Sequence, residues 1–272
     1  MAKLRNLPLH LLLIIGSAGM LLPFYWMLIT SLKEPLEALK FPPTWIPQSW
    51  RFDNYLEVFR QVPLGRYIGN TVFIALMSLL GVLITGIPAA YAFARLRFPG
   101  REVLFMGFLA LMMVPLPVYL VPSYIILYKL GWIDTYAAMI VPWVVNIFSI
   151  FLLRQHIRQL PQELFDAARI DGCSELWILA RIVIPLCKAP LATIAVFNVV
   201  SSWNSFFWPL IVTNSDQIRP LQVGLAYFSR EQSTNYTLLM AATTIAIIPL
   251  ILLFFLAQKQ IIQSQARAGL KE

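Results

Sequence analysis

Residues 198–208 bring together side chains suited to contact a neutral, hydroxyl-rich molecule. The candidates are Asn198, Trp203, Asn204, Phe207 and Trp208. Amides hydrogen-bond to hydroxyl groups, and aromatic rings pack against C–H surfaces. In a continuous helix Asn204, Phe207 and Trp208 would share one face, since residues three and four apart are neighbours. Two other roles stay open, because tryptophan also anchors spans at membrane interfaces and polar side chains also hold membrane helices together.

The side chains that usually perform catalysis are few and are not arranged for it. His10 and His156 are far apart in the sequence, and no Cys/His cluster has the spacing of a metal site. The sequence has no Gly-x-Ser-x-Gly elbow for a nucleophile and no Gly-Lys pair of a phosphate-binding loop. We therefore expect a chain that is not an enzyme and that binds no metal or cofactor itself.

The elements that position these residues are predicted from hydropathy. The 272 residues are 59% hydrophobic and only 12% charged, against about 25% charged residues in a typical soluble domain. Six windows contain no Asp, Glu, Lys or Arg, and each approaches or exceeds the roughly 20 residues that cross a bilayer: 7–32, 67–94, 103–128, 135–153, 189–215 and 232–258. The sequence predicts an all-α integral membrane protein, a single domain over 1–272 with six transmembrane helices.

The charges outside the windows predict the orientation of these spans. With the N-terminus in the cytoplasm, the inner segments carry 13 basic and six acidic side chains, and the outer segments carry eight and seven. This asymmetry follows the positive-inside rule and places both termini in the cytoplasm. The net charge of +8 is thus a topology signal and not a sign of nucleic-acid binding. Because no charged relay lies inside the windows, the energy for any uphill transport is expected to enter from outside the bilayer.

The only sizeable inner loop, with its core at 158–185, has the signals of two short helices. Pro161 in the first turn and Glu163 near the positive end of the dipole favour a helix start. Gly172 permits a tight turn, and Ser174 can cap a second helix. Four apolar residues have spacings that predict one shared helical face: Leu164, Phe165, Ala168 and Leu176.

This loop resembles the EAA loop of bacterial ABC importer permeases. Asp166-Ala167-Ala168-Arg169-Ile170-Asp171-Gly172, nine further residues and Ile182-Val183-Ile184-Pro185 are similar to the pattern E-A-A, three residues, G, nine residues, I-x-L-P. Asp166 stands in place of glutamate and Ile184 in place of leucine. Other segments, among them 42–47, 89–95 and 203–210, resemble the carbohydrate branch and its maltose-type second permease subunit.

The resemblance implies a type I importer permease in the bacterial inner membrane. Its implied partners are a second homologous permease subunit, two ATPase subunits that bind ATP and Mg, an extracytoplasmic solute-binding protein and membrane lipid. The implied ATPase-coupling residues are Asp166, Ala167, Ala168, Asp171, Gly172, Ile182 and Pro185. In this interpretation ATP-driven closure of the ATPases moves the loop, and a sugar or sugar-like solute crosses.

Other interpretations remain open at this point. Glycerol phosphate or a glycosyl-polyol could be the solute within the same family, although the uncharged spans favour a neutral one. A self-contained six-helix channel or facilitator, or a membrane scaffold, would also fit six spans. A channel would leave the elaborate inner loop without a purpose, whereas a scaffold would bind a partner through it. Nucleotide-dependent uptake would distinguish the importer from both.

Overall fold

The computed structural model describes residues 7–231 and 235–269. This part of the chain is helical and contains no strand, as predicted. The α-helices are α1 (Leu7–Ser31), α2 (Pro35–Ala38), α3 (Asp53–Gln61), α4 (Leu64–Arg95), α5 (Arg101–Leu111), α6 (Leu116–Lys129), α7 (Tyr136–Ile140), α8 (Ile147–Arg158), α9 (Gln162–Ile170), α10 (Glu175–Ile178), α11 (Ile184–Leu186), α12 (Lys188–Trp203), α13 (Phe207–Val212), α14 (Leu221–Glu231) and α15 (Tyr236–Gly269). A 3₁₀ turn covers Val141–Trp143, and a π-helical turn covers Leu179–Val183.

Four helical segments are long and apolar enough to cross a membrane: His10–Ser31, Leu64–Arg95, Tyr136–Arg158 and Tyr236–Gln258. Two bent pairs pass the same test together, α5 with α6 at 98° and Glu175–Leu186 with α12 at 80°. Length and composition thus give four spans, or six when each bent pair counts as one. Residues 232–234 of the sixth predicted span lie outside the described residues, as do 1–6 and 270–272 at the two termini.

Three of the predicted spans are interrupted. The window 103–128 breaks between Leu111 and Leu116, where Pro115 is extended and has no amide hydrogen to donate. The window 135–153 breaks after the 3₁₀ turn, at 144–146. The window 189–215 breaks at 204–206, between α12 and α13. The uncharged windows predicted where these segments lie, but the absence of charge does not predict where a helix ends.

The chain divides into two compact units, and the prediction of a single transmembrane domain stays a prediction. The described part of the first unit comprises 7–68, 223–231 and 235–249. The segment that follows α1 folds back on the end of that helix, where the buried Lys33 donates to the carbonyl oxygen of Thr44. Asn54 at the start of α3 donates to the carbonyls of Ser31 and Lys33. The bond to Ser31 O satisfies one of the carbonyl groups that the end of α1 leaves free.

The second unit, described over 69–222 and 250–269, holds the candidate sites. Its main core lies between α4, α8 and the inner loop: Val82, Ala90, Tyr91, Phe93, Phe105, Ile150, Leu153, Ile157, Phe165, Ala168, Ile178, Leu179, Val183, Cys187 and Ile194. A smaller core joins α4 to α7 and α13: Ile74, Leu127, Ala138, Met139, Trp208 and Val212. At Gly81 of α4, the backbone approaches Val144 so closely that a Cβ atom would overlap its side chain.

Candidate functional site

The inner loop forms the predicted helix, turn and helix. Helix α9 ends in a Schellman motif, in which the amide of Cys173 donates to Ala168 O and that of Gly172 donates to Arg169 O. Gly172 has φ +79°, the left-handed conformation that glycine adopts without strain. Ser174 caps α10 and accepts a hydrogen bond from the amide of Trp177. The turn is therefore fixed by backbone geometry and a cap.

Two details of the predicted loop are wrong. Pro161 precedes α9 as its N-cap residue and is not in its first turn. The four apolar residues do not share a face, because Phe165 and Ala168 are buried whereas Leu164 and Leu176 are exposed. Leu176 lies beyond the turn at Gly172, and the left-handed residue ends the helical periodicity on which the prediction rested.

The buried face of α9 packs against the C-terminal end of α4. Phe165 is fully buried and stacks on Tyr91, with ring centroids 6.3 Å apart. The guanidinium of Arg95 lies 4.3 Å from the centroid of the Phe165 ring. Arg95 also donates to Gln162 Oε1 at 2.6 Å and to the carbonyl of Ile157 at 2.7 Å. These contacts bind the loop to α4 and α8.

A second set of polar contacts closes the turn. Arg169 Nε donates to Glu175 Oε1 at 3.0 Å, and Glu175 also pairs with the hydroxyl of Tyr91. The hydrogen bond with Glu175 raises the pKa of Arg169, which stays charged. Asp166 Oδ1 accepts from Gln162 Nε2 at 2.9 Å and lies 3.8 Å from Arg169. The charges of the loop are thus partly matched within it.

The outer side of the loop carries most of the residues predicted to couple to an ATPase. Of these, Asp166, Ala167, Asp171, Gly172 and Pro185 are exposed, Ile182 is half-buried in the π-helical turn, and Ala168 is buried. Beside them Ile170 and Leu176 flank the turn with 86% and 76% of their surface exposed. Two large apolar side chains are thus exposed beside the predicted coupling residues.

A cavity of about 340 Å³ lies within the second unit, away from the loop. Its lining consists of Thr71, Ile74, Ser78, Leu116, Met139, Trp143, Asn146, Asn198, Ser201, Ser202, Ser205, Phe206, Phe207, Trp208, Pro209 and Pro220. No Asp, Glu, Lys or Arg is among these described residues. The lining combines hydroxyls, amides and aromatic rings, which suits an uncharged polar ligand.

All three helix breaks contribute to this cavity. Leu116 begins α6 after the first break, Asn146 ends the second, and Ser205 and Phe206 lie in the third. In a bilayer, irregular backbone is tolerated where it is buried in protein or lines a cavity. The three breaks therefore border the same cavity, which the uncharged windows of the sequence did not predict.

The structure brings together only part of the predicted solute surface. Asn198, Phe207 and Trp208 line the cavity, but Trp203 and Asn204 do not. Trp203 is buried and ends α12, and Asn204 donates back to the carbonyl of Val200. The predicted shared face of Asn204, Phe207 and Trp208 is wrong, because the helix is broken between the first of these residues and the other two.

Sequence reasoning missed the cavity residues of the other helices. Thr71 and Ser78 are seven positions apart on α4, on one face, but polar residues of this kind carry no local signal. Asn146 did carry one: it caps α8 by accepting from the amide of Ser149, and asparagine before an apolar run is a readable helix start.

Two lining residues are held in different ways. The indole Nε1 of Trp208 donates to Ala138 O at 2.9 Å, and its ring meets Trp143 edge-on at 5.6 Å. The Oδ1 atom of Asn198 is buried and accepts no hydrogen bond from the described residues. A buried acceptor without a partner costs free energy.

The cavity and the loop are joined by the same helices. Helix α4 lines the cavity with Ser78 and holds the loop with Arg95. Helix α8 begins at the cavity residue Asn146 and ends beside the loop, and α12 carries Asn198 and begins directly after the loop. The loop and the cavity therefore share three neighbouring helices.

Comparison with known proteins agrees with this arrangement. Residues 82–267 match the family described as the binding-protein-dependent transport system inner membrane component. The chain is 33% identical to the arabinooligosaccharides transport system permease protein AraQ of Halalkalibacterium halodurans, over 92% of this chain and 90% of that protein. It is 31% identical to the sn-glycerol-3-phosphate transport system permease protein UgpE of Brucella suis, over 93% of each.

A solved structure shares the fold. It belongs to a bacterial ABC transporter involved in the import of the acidic polysaccharide alginate, with a TM-score of 0.84 and 26% identity, over 94% of this chain and 96% of that one. The family match, the relatives and the common fold lead to one conclusion: the chain belongs to the inner membrane components of binding-protein-dependent transport systems, the multi-pass permease subunits of ABC importers.

Proposed function

We propose that this chain is one of two permease subunits of an importer for a neutral carbohydrate. Two ATPase subunits bind ATP and Mg below it, an extracytoplasmic binding protein delivers the solute, and both termini face the cytoplasm. The chain itself is noncatalytic. The observation that carries the proposal is the inner loop, which is clamped on one side by Arg95 and apolar on the other at Ile170 and Leu176.

The loop is the contact with an ATPase. Its exposed apolar residues seat in the partner, and Asp166 pairs with a basic group there. Because Phe165 fixes α9 on the end of α4, movement of the seated loop is transmitted to the spans and does not deform the loop. This arrangement couples ATP-driven closure to alternating access.

The neutral carbohydrate is favoured by the uncharged cavity and by the resemblance to the carbohydrate branch. The name of AraQ specifies arabinooligosaccharides, which are uncharged. A second candidate is glycerol phosphate, because UgpE has similar identity over a similar length. Cationic donors bind a phosphate group most strongly, and the cavity lining offers no Lys or Arg.

Co-purification tests the assembly. The tagged chain is extracted in mild detergent, and we expect a second six-span protein and a P-loop ATPase to co-purify. Ile170→Glu with Leu176→Glu should release the ATPase, because a carboxylate cannot enter an apolar cleft without a large desolvation cost. The matched control is Ile170→Met with Leu176→Met. Recovery of the wild-type chain alone would contradict the importer and favour a self-contained channel.

The identity of the solute is tested by import into right-side-out membrane vesicles in the presence of the binding protein. Inverted vesicles are unsuitable, because uptake into them does not report import. We expect ATP-dependent uptake of labelled arabinotriose and none of labelled glycerol 3-phosphate. The reverse result would replace the carbohydrate with the second candidate. Uptake of neither would reject both solute classes.

A further inference from the structure

We propose that α3 is an interfacial helix, which lies at the headgroup boundary of the bilayer with Phe52, Leu56 and Phe59 in contact with lipid. These three side chains form the apolar face of α3. The helix belongs to the segment of the first unit that joins the spans α1 and α4. The inference needs only the membrane-spanning helices and is independent of the solute and of the ATPase contact.

The apolar face points away from the rest of the protein. Its residues are spaced four and three positions apart, and Phe52 has helical backbone angles although it precedes α3, so the three share one side of the helix. Phe52 and Leu56 are each 64% exposed, and Phe59 is 49% exposed. The buried residues of α3, Asn54 and Val58, lie on the opposite side. A surface helix in water shows the reverse arrangement, with its apolar side on the core.

The segment around α3 likewise has polar groups inside and apolar groups outside. Glu37 is buried, and its Oε1 accepts hydrogen bonds from Thr44 Oγ1 at 2.8 Å and from Gln48 N at 3.0 Å. Lys33 and Asn54 are also buried and donate to carbonyl oxygens. Several large apolar side chains of the same segment are exposed: Leu36, Leu39, Phe41, Ile46 and Trp50. An apolar outer surface of this kind marks contact with a membrane or with another protein.

Both ends of α3 are attached to membrane spans. Near its start, Asn54 donates to the carbonyl oxygen of Ser31 at 2.8 Å, at the end of α1. Its last residue, Gln61, precedes the first residue of α4, Leu64, by three positions. Because α1 ends and α4 begins at the same membrane surface, the nine residues of α3, about 13 Å long, lie at that surface.

Trp45 indicates how deep the segment reaches. Its ring meets Trp26 of α1 edge-on, with centroids 5.5 Å apart, and its carbonyl oxygen accepts a hydrogen bond from the hydroxyl of Tyr25 at 2.7 Å. Trp26 precedes the last residue of α1, Ser31, by a distance of roughly 8 Å along the helix axis. The segment therefore turns back along the span, to a level where tryptophan and tyrosine anchor membrane helices.

Lipid fits the apolar face better than a protein partner does. Trp50 stacks on Phe52, with ring centroids 6.2 Å apart, and so places an indole beside this face. Arg60 flanks the face with 76% of its side chain exposed, where a headgroup phosphate can pair with it. An apolar face bordered by basic and aromatic side chains is typical of helices that lie in the membrane interface.

Contact with lipid is measured by fluorescence quenching on the full chain in nanodiscs, together with the partners that co-purify with it. A bimane label is attached to an introduced cysteine in a Cys173→Ser background that retains the buried Cys187. Phe59→Cys places the label on the apolar face. Glu57→Cys is the matched control, because residues two positions apart lie on nearly opposite sides of a helix. Lipid brominated on its acyl chains quenches a label in the bilayer, and iodide quenches a label in water.

We expect brominated lipid to quench the label at Phe59→Cys several-fold more than the label at Glu57→Cys, and iodide to quench them in the reverse order. Bromine near the headgroup end of the acyl chains should quench more than bromine near the methyl end, because an interfacial helix is buried only about 5–10 Å deep. Leu56→Cys, on the same face, should repeat the result of Phe59→Cys.

Two results would overturn the inference. Strong iodide quenching at both Phe59→Cys and Leu56→Cys would place the apolar face in water. Protection of both positions from iodide and from brominated lipid would show that a protein partner covers the face. Because the labelled positions are exposed, these variants are expected to fold, and their melting temperatures are recorded beside the quenching data.

Discussion

The loop end and the cavity end of the second unit are built on the same three helices but are packed in opposite ways. At the loop, Phe165 and Ile157 are fully buried, and the cation of Arg95 covers an aromatic ring. At the cavity, three spans are broken, Phe207 is exposed and Asn198 keeps an unsatisfied acceptor. This difference is the one expected from the proposed function, in which the loop end transmits movement and the cavity end meets the solute.

The largest expected effect is loss of the loop core. Phe165→Ala removes a fully buried ring and should cost about 3–5 kcal/mol of unfolding free energy, through lost burial and the cavity left behind. Denaturation of the reconstituted protein, followed by tryptophan fluorescence, measures this change. A cost below about 1 kcal/mol would show that the loop end is no better packed than an exposed site.

The second-largest effect is expected at the turn, where a substitution of Gly172 strains the backbone. No atom of the described residues lies within 4 Å of a Cβ atom placed at Gly172, so the cost of Gly172→Val comes mainly from holding φ +79°. A strain of about 1–3 kcal/mol is expected, and it should uncouple ATP hydrolysis from transport. Solute imported per ATP hydrolysed is the measurement.

Gly172→Asn is the control for that experiment, since asparagine tolerates the left-handed region better than valine. We expect it to retain most of the coupling. Equal loss of coupling in both variants would argue against backbone conformation as the cause, and full coupling in Gly172→Val would reject the proposed function of the turn.

A smaller, pH-dependent effect is expected at Asp134, near the smaller core of the cavity end. Burial alone raises the pKa of Asp134, but hydrogen bonds from the amides of Ser215 and Asn214 outweigh it and lower the pKa below the ordinary value of 3.8. Because the folded-state pKa is lowered, the stabilisation is present above pH 3.8 and is lost as the pH falls through the folded-state value.

Asp134→Asn keeps an acceptor oxygen and removes the charge, so it should lose at most about 1 kcal/mol at neutral pH. The difference between wild type and variant should vanish on acidification, which denaturation series at several pH values would show. A difference that stays constant with pH would mean that the charge of Asp134 does not stabilise this end.

The smallest effect on stability is expected at the cavity itself. Phe207→Ala should change the unfolding free energy by no more than about 0.5 kcal/mol, because the ring is mostly exposed. The same denaturation assay applies to Phe165→Ala and Phe207→Ala. If the two variants lose similar stability, the contrast between the two ends disappears.

Sequence alone predicted the helical class, the membrane segments and the loop, for physical reasons. Charged residues are expensive in lipid, so their absence located the spans, and Gly172 and Ser174 are residues that a tight turn and a cap need. The helix breaks were not predicted, because lipid solvation constrains polarity and not helix continuity. Hence Asn204 was assigned to a helical face that does not exist, and Thr71 and Ser78 were missed.

The helix breaks at the cavity also affect how the protein can evolve. Ser205 and Phe206 lie between α12 and α13 and outside the core that packs the loop, so their exchange leaves that core unchanged. If the proposed function holds, solute preference can change at these two positions without a change in the coupling loop. Libraries confined to 205–206 should therefore alter selectivity with little loss of stability.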